Sequence, residues 1–146
     1  MGLIEAIGEG PTALDTVAFI YLIERHPIFL PLVKPLFEEA DAGKRELVTS
    51  AVTLLEVLVV PYREGNRPLA QRYEELLTRG RGLRLVDLDR DLLRAGALLR
   101  ARYGVRSPDA LQMAAALATG CGALVTNDRR LPSIPSLRIL QIGDFA

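Results

Sequence analysis

Short apolar runs alternate along the chain with longer amphipathic segments, a pattern typical of α/β proteins. Three- to five-residue runs predict the strands Thr12–Leu14, Glu46–Thr49, Leu83–Val86, Ala123–Thr126 and, at a sheet edge, Leu137–Gln141. Helical periodicity predicts helices over Thr16–Glu24, a segment ending near Gly43, Ser50 to about Val60, Pro68–Arg79, Asp89–Tyr103 and Ser107 to Gly120. This alternation favours a parallel sheet, and 146 residues fit a single domain, 1–146.

Local signals refine three of these boundaries. Ser50 is expected to cap the helix that follows it, and Pro61 is expected to end or kink that helix. Val52–Val60 is apolar nearly all round, which predicts a buried helix. Ser107-Pro108-Asp109 has the order of a helix start: a capping hydroxyl, a proline in the first turn and an acid near the positive end of the dipole.

The residue counts exclude several kinds of site. A single cysteine, Cys121, cannot form an internal disulfide or a thiolate metal site, and a single histidine, His26, excludes a multi-histidine zinc site. No apolar run reaches the roughly 18 residues that cross a bilayer. Met1–Gly10 has two glutamates and no basic residue, unlike a signal peptide. We therefore expect a cytoplasmic protein without membrane contact, whose chemistry relies on carboxylates, hydroxyls or arginines.

The overall charge gives no signal for nucleic acid, because 18 basic and 18 acidic residues cancel. Lys34 and Lys44 are the only lysines, so arginine supplies nearly all the positive charge. Arginine suits phosphate contacts, but a GC-rich genome or adaptation to heat gives the same bias. Composition alone leaves the substrate open.

Glu56 is the acidic residue whose position is hardest to explain by solvent exposure, because it lies within the apolar segment Val52–Val60. A lone buried carboxylate costs several kcal/mol unless it is paired, protonated or bound to a cation. A structural salt bridge to an arginine and a cation site both remain open at this point.

Three further acids occupy positions that suggest a site. Asp15 directly follows one predicted strand and Asp128 follows another with one residue between, and open parallel sheets bind ligands beyond the carboxyl ends of their strands. Asp109 lies near a helix start, where the dipole alone could account for it, and aspartates at strand ends also form turns. Each is weak evidence by itself, but four such acids together indicate an acidic site.

If the four acids converge, their mutual repulsion requires a divalent cation. Oxygen ligands without histidine or cysteine favour Mg²⁺ or Mn²⁺ over zinc or copper. Such ions activate water and stabilise phosphoryl transition states, singly or in pairs. The predicted chemistry is phosphodiester hydrolysis, with the number of ions left open.

Four segments in order resemble the motifs of the PIN domain family, and specifically the VapC-type toxins of bacterial and archaeal toxin–antitoxin pairs. They are Leu14–Thr16, Thr49–Val57, Ser107–Ala116 and Leu124–Leu131, and the closing Leu140–Phe145 is also similar. The resemblance spans nearly the whole chain. The short first strand after Gly10-Pro11, and Pro61 soon after Glu56, depart from the usual pattern.

The resemblance implies a three-layer α/β/α PIN-like domain with a central parallel sheet. It implies that Asp15, Glu56, Asp109 and Asp128 are catalytic and bind Mg²⁺ or Mn²⁺, with Thr126 and Asn127 in support. It also implies an endoribonuclease acting on RNA, a homodimer and a cognate antitoxin. Arg106 and Arg129 are the first candidates for contacts with the RNA backbone.

Two other functions compete with this prediction. A catalytically inactive PIN-like module could bind RNA or protein, although it would have no need for clustered carboxylates. A phospho-acceptor signalling domain also places acids at strand ends, but neither lysine lies where such a domain needs one. The sequence does not identify the RNA, the cleavage site, the antitoxin or the oligomeric state.

Overall fold

A computed structural model describes all 146 residues and contains one five-stranded parallel sheet, in the strand order β3-β2-β1-β4-β5. The strands are β1 (Thr12–Leu14), β2 (Leu47–Ser50), β3 (Leu83–Val86), β4 (Ala123–Thr126) and β5 (Arg138–Gln141). The helices are α1 (Leu3–Ile7), α2 (Thr16–Ile23), α3 (Leu30–Asp41), α4 (Val52–Arg63), α5 (Arg67–Arg79), α6 (Arg90–Tyr103) and α7 (Ser107–Ala118), and a 3₁₀-helix covers Ile142–Phe145. No helix is long and apolar enough to cross a membrane.

The sheet separates two hydrophobic cores, because successive side chains of a strand point to opposite faces. Leu14 and Leu47 join the core formed with α1 to α5, whereas their neighbours Ala13 and Val48 join the core formed with α6 and α7. Strands buried on both faces read as continuous apolar runs, which is the pattern that the sequence shows. The predicted three-layer α/β/α fold with a central parallel sheet is confirmed.

The predicted strands agree closely with the structure. β1, β3 and β4 have the predicted bounds, while β2 and β5 begin one residue later than predicted. The short helix α1 was not predicted. Its five residues are too few for a periodic signal, and it is held by burying Leu3 and Ile7 in the core.

Helix α4 differs from the prediction in two ways. It does not end at Pro61 but continues to Arg63, because a proline in the last turn removes a single helical hydrogen bond and this proline is buried. The helix is also not buried all round, since Leu55, Val59 and Tyr62 are exposed. The prediction of a fully buried helix was wrong: apolar composition did not distinguish its core face from an exposed apolar stripe.

Neither of the two hydroxyls predicted to cap a helix occupies the capping position. Ala51 is the capping residue of α4 and has no side-chain cap, while Ser50, the last residue of β2, accepts a hydrogen bond at Oγ from the backbone N–H of Val52 at 3.2 Å. The hydroxyl of Ser107 does not cap α7, because Arg106 occupies the capping position without a side-chain cap. Ser107 Oγ instead accepts from Arg100 Nη1 at 3.0 Å and ties the helix start to α6.

Candidate active site

Parallel pairing of β1 with β4 brings Asp15 and Asp128 to the same edge of the sheet. The backbone N–H of Asp15 donates to Val125 O at 2.9 Å, just beyond the register pair Leu14 and Val125. Asp128 lies two residues after β4 ends at Thr126. Both acids therefore follow the carboxyl ends of adjacent central strands.

Asp15 is buried and held from two sides. It is the N-cap of α2, and its Oδ1 accepts from the backbone N–H of Thr16 at 2.8 Å. Its Oδ2 accepts from the hydroxyl of Thr126 at 2.7 Å. The same hydroxyl accepts the backbone N–H of Asp128 at 3.0 Å, so Thr126 couples the positions of the two acids.

Glu56 reaches the same region from α4. Its Oε1 accepts from the hydroxyl of Thr16 at 2.7 Å, so Thr16 contacts both Asp15 and Glu56. Glu56 forms no salt bridge. The alternative in which an arginine pairs with this half-buried carboxylate therefore does not describe the structure.

Asp109 and Asp128 are connected by arginines. Arg106 Nε donates to Asp109 Oδ2 at 3.0 Å, and its Nη2 donates to Asp128 Oδ2 at 3.3 Å. Arg130 donates two hydrogen bonds to Asp128, from Nε to Oδ1 at 3.0 Å and from Nη2 to Oδ2 at 2.8 Å. The acid of α7 and the acid that follows β4 thus share one guanidinium.

The charges of neighbouring acids act on two of the four carboxylates, Asp15 and Glu56. Burial raises the pKa of Asp15 above its usual value, and the charges of Asp109 and Asp128 raise it further, against the hydrogen bonds from Thr126 and Thr16. Burial also raises the pKa of Glu56, with contributions from Asp15 and Asp109. In contrast, the hydrogen-bonded guanidinium of Arg130 lowers the pKa of Asp128.

A buried polar network lies beneath the acids and was not predicted from the sequence. Gln112 Nε2 donates to Thr53 Oγ1 at 2.7 Å, and Gln112 Oε1 accepts from the backbone N–H of Ser50 at 3.1 Å. The hydroxyls of Thr49 and Thr53 are 2.7 Å apart, and Thr49 donates to Leu14 O at 2.8 Å. The only signal in the sequence is the spacing: Gln112 follows Asp109 by three residues, and Thr53 precedes Glu56 by three residues.

The remaining predicted residues lie around the end of β4. Asn127 donates through Nδ2 to the hydroxyl of Tyr21 at 3.1 Å and accepts the backbone N–H of Gly143 at 2.9 Å, so it fixes the turn that carries Asp128. Arg129 forms an exposed salt bridge with Asp144. Its neighbour Arg130, which was not among the candidates, binds Asp128 together with Arg106.

The donor atoms suit a hard divalent cation, because carboxylate and hydroxyl oxygens are all that the site offers. Burial chiefly, and neighbouring carboxylates to a smaller extent, raise the pKa values of Asp15 and Glu56, and a bound cation would stabilise their charged forms. In the conformation described, no group of three acidic side chains is arranged to hold a metal ion. Asp109 and Asp128 are turned to arginines instead. The four acids therefore fit the cation through the chemistry of their oxygen atoms and not through the arrangement of their side chains.

Comparison with known proteins identifies the family. The family model described as the PIN domain matches residues 12–137, and the chain therefore belongs to the PIN domain family. No curated protein is significantly similar to the chain.

Solved structures of VapC-type toxins share the fold. VapBC2 from Rickettsia felis, bound to a DNA fragment from its promoter, is 20% identical with a TM-score of 0.68 and covers 90% of this chain and 98% of its own. DNA-bound VapBC from Salmonella typhimurium is 22% identical with a TM-score of 0.62, covering 92% and 99%. VapC20 from Mycobacterium tuberculosis, described as a toxin that cleaves the sarcin–ricin loop, is 17% identical with a TM-score of 0.62, covering 77% and 86%.

Proposed function

We propose that this PIN domain is a divalent-metal-dependent endoribonuclease, and that it is the toxin of a toxin–antitoxin pair. One observation carries the proposal: acids from four separate segments lie near the carboxyl edge of the sheet and are connected in two pairs, Asp15 with Glu56 through Thr16 and Asp109 with Asp128 through Arg106. The sarcin–ricin cleavage described for VapC20 supports RNA as the substrate class.

Asp15, Glu56, Asp109 and Asp128 are the proposed ligands of Mg²⁺ or Mn²⁺ and the proposed catalytic acids. When bound, the ion supplies an activated water and neutralises charge on the phosphodiester. Thr126 holds Asp15 in place and Asn127 holds the turn before Asp128. Arg106 lies beside the acids and is suited to position a backbone phosphate, whereas a contact of Arg129 with RNA stays a prediction.

The local charges favour a single resident ion. Arg106 and Arg130 offset the charges of Asp109 and Asp128 through direct salt bridges. Two carboxylates, Asp15 and Glu56, then remain without a basic partner, and one divalent ion balances them. A second resident ion would leave the site positively charged before RNA binds.

The proposed reaction uses water rather than the ribose 2′-hydroxyl as nucleophile. The chain has a single histidine and so lacks the paired histidines that could activate a 2′-hydroxyl. The expected products carry a 5′-phosphate and a 3′-hydroxyl, with no cyclic phosphate.

The test is to incubate the purified protein with end-labelled single-stranded RNA in EDTA, Mg²⁺ or Mn²⁺ and to determine the fragment ends. Cleavage should require the ion and be lost in Asp15→Asn, while Asp91→Asn at an exposed position should cut like the wild type. Cyclic-phosphate ends, or cleavage that persists in EDTA and in Asp15→Asn, would reject the mechanism. Tight RNA binding without cleavage would favour the inactive PIN-like module.

The surface beside the site supports a protein partner. Leu55, Val59 and Tyr62 are exposed on α4, spaced four and three residues apart, and so form an apolar stripe on the helix that carries Glu56. We propose that this stripe is covered in a homodimer or by a cognate antitoxin, the kind of partner present in the VapBC structures. A single domain over residues 1–146 and a cytoplasmic location are part of the same proposal.

A further inference from the structure

A cavity of about 310 Å³ opens beside Asp109, and Glu56 is not part of its lining. Its lining includes Tyr103, Arg106, Asp109, Arg130 and Pro132. It lies where the turn between α6 and α7 meets the segment after β4, so two arginines enter it from separate parts of the chain. The cavity is larger than a phosphate group and admits the sugar attached to one.

Asp109 and Asp128 orient Arg106 and Arg130 but do not occupy all of their N–H donors. Each guanidinium has five N–H donors. Arg106 uses one donor on Asp109 and one on Asp128, and Arg130 uses two on Asp128, so three N–H donors remain on each. The side chains are 57% and 67% exposed, whereas that of Asp109 is 9% exposed. The arginines therefore form the solvent-facing layer above the acids.

We propose that this cavity is a subsite for a backbone phosphate of the nucleic acid, and that Arg106 and Arg130 bind it. The inference rests on the proposed nuclease function and adds the place where the strand is held beside the reacting bond. A phosphodiester fits better than an isolated carboxylate ligand, because two forked guanidiniums that meet at Asp128 Oδ2 match an anion with several equivalent oxygens. The ring of Tyr103 offers a surface against which the adjoining sugar or base can pack.

The net charge of the site predicts the conditions under which the subsite binds a phosphate. Without a divalent ion, the site holds four carboxylates and only two guanidiniums, so its net negative charge repels a polyanion. With Asp15 and Glu56 neutralised, the local field no longer opposes the phosphate. We therefore expect oligonucleotide binding to require the divalent ion and to weaken as salt rises.

The test measures binding apart from cleavage. A fluorescein-labelled single-stranded RNA of six nucleotides is titrated in saturating Mg²⁺ with protein carrying Glu56→Gln, followed by fluorescence anisotropy. Glu56→Gln removes one proposed catalytic carboxylate but leaves both arginine pairs intact, because Glu56 contacts Thr16 rather than an arginine. Since Glu56 is also a proposed metal ligand, isothermal titration first establishes the Mg²⁺ concentration that saturates this variant. Arg106→Gln and Arg130→Gln are compared in this background at several salt concentrations.

Arg94→Gln is the matched control. Arg94 pairs with Asp91 at spacing i,i+3, as Arg106 pairs with Asp109, but both partners are exposed on α6. We expect Arg106→Gln and Arg130→Gln each to raise Kd by about two- to fivefold and to reduce the slope of log Kd against log salt by about 0.7. Arg94→Gln should bind like the parent protein, and circular dichroism should show that all three variants remain folded.

Three outcomes would overturn the subsite: no oligonucleotide binding by the parent protein, unchanged binding in Arg106→Gln and Arg130→Gln, or an equal loss in Arg94→Gln. Failure of the nuclease proposal is distinguishable. Normal RNA cleavage by the wild type with normal binding by the arginine variants would reject the subsite alone. Weakened binding by those variants, with no cleavage of any RNA by the wild type, would support the subsite and reject the nuclease.

Discussion

Gln112 Nε2 lies 2.7 Å from Thr53 Oγ1 and joins the helix that carries Asp109 to the helix that carries Glu56. Gln112 follows Asp109 by three residues on α7, and Thr53 precedes Glu56 by three residues on α4. Residues three apart lie on one helix face, so this single bond lies one turn below both carboxylates. The hydrogen bond therefore fixes the spacing of two acids that do not contact each other directly.

We predict that Gln112→Leu lowers the free energy of unfolding by about 1–3 kcal/mol. The side chain is 2% exposed, and its loss leaves the Ser50 N–H and the Thr53 hydroxyl without the partner that each has now. Because the two helices lose their common anchor, cleavage measured well below the melting temperature should also fall. Urea unfolding and single-turnover cleavage measure the two effects.

Gln71→Leu is the control for that substitution. Gln71 is exposed on α5 and contacts Glu75 one turn away, so the change should stay within about 0.5 kcal/mol of wild-type stability. If Gln112→Leu loses stability but cleaves at the wild-type rate while folded, the network is structural and does not set the geometry of the acids.

We predict that, in chelator, the metal-free protein loses stability as pH rises from about 4 towards neutrality. The folded-state pKa values of Asp15 and Glu56 are raised above their ordinary 3.8 and 4.5, chiefly by burial, so the folded state binds more protons than the unfolded state in this window. The stability that these two groups contribute is fully present below their ordinary pKa values and is lost as pH rises through the raised pKa values of the folded state. Asp128, whose pKa is lowered by Arg130, acts in the opposite sense at more acidic pH.

Thermal melts of Asp15→Asn across this range provide the measurement. The variant should gain stability relative to the wild type as pH rises, because the buried charge is absent. Asp91→Asn, at an exposed position, should follow the wild type throughout. A constant difference between Asp15→Asn and the wild type from pH 4 to 7 would contradict the assigned cause.

The sequence predicted the sheet and the candidate acids better than their surroundings, for physical reasons. Strands buried on both faces are continuous apolar runs, so β1 and β4, and with them Asp15 and Asp128, were placed from local pattern alone. The partner of Glu56 could not be deduced, because Thr16 is 40 residues away and becomes a neighbour only when α2 packs against α4.

The contacts of the adjacent arginines Arg129 and Arg130 also depend on residues that are distant in sequence. Arg129 was predicted to contact the RNA backbone, which stays a prediction; in the structure Arg130 binds Asp128 and Arg129 pairs with Asp144. The turn after β4 decides which side chain folds back, and Asp128 Oδ1 accepts the backbone N–H of Arg130 at 2.9 Å. That turn geometry is set by Asn127 and its contacts with Tyr21 and Gly143, which are distant in sequence.

We predict that Leu55→Glu disrupts self-association without unfolding the chain. Leu55 is 64% exposed, so a charge there costs the isolated fold little, but it would be buried in an interface formed by the α4 stripe. Sedimentation velocity should show a shift from dimer to monomer. Leu98→Glu, at a 72% exposed position on α6, should leave the distribution unchanged. A dimer that survives Leu55→Glu would place the interface elsewhere.

We predict one bound Mn²⁺ per chain and a metal-dependent gain in stability. Asp15 and Glu56 lack basic partners, whereas Asp109 and Asp128 already contact Arg106 and Arg130, so a single ion completes the charge balance. Binding to the folded state alone stabilises it by about 2.7 kcal/mol when the ion is present at 100 times its Kd. Isothermal titration should give a stoichiometry near one, and the gain in melting temperature should shrink in Asp15→Asn but persist in Asp91→Asn. Two ions of similar affinity per chain would show that Mn²⁺ displaces the arginines from Asp109 and Asp128, and would contradict the charge balance proposed for the site.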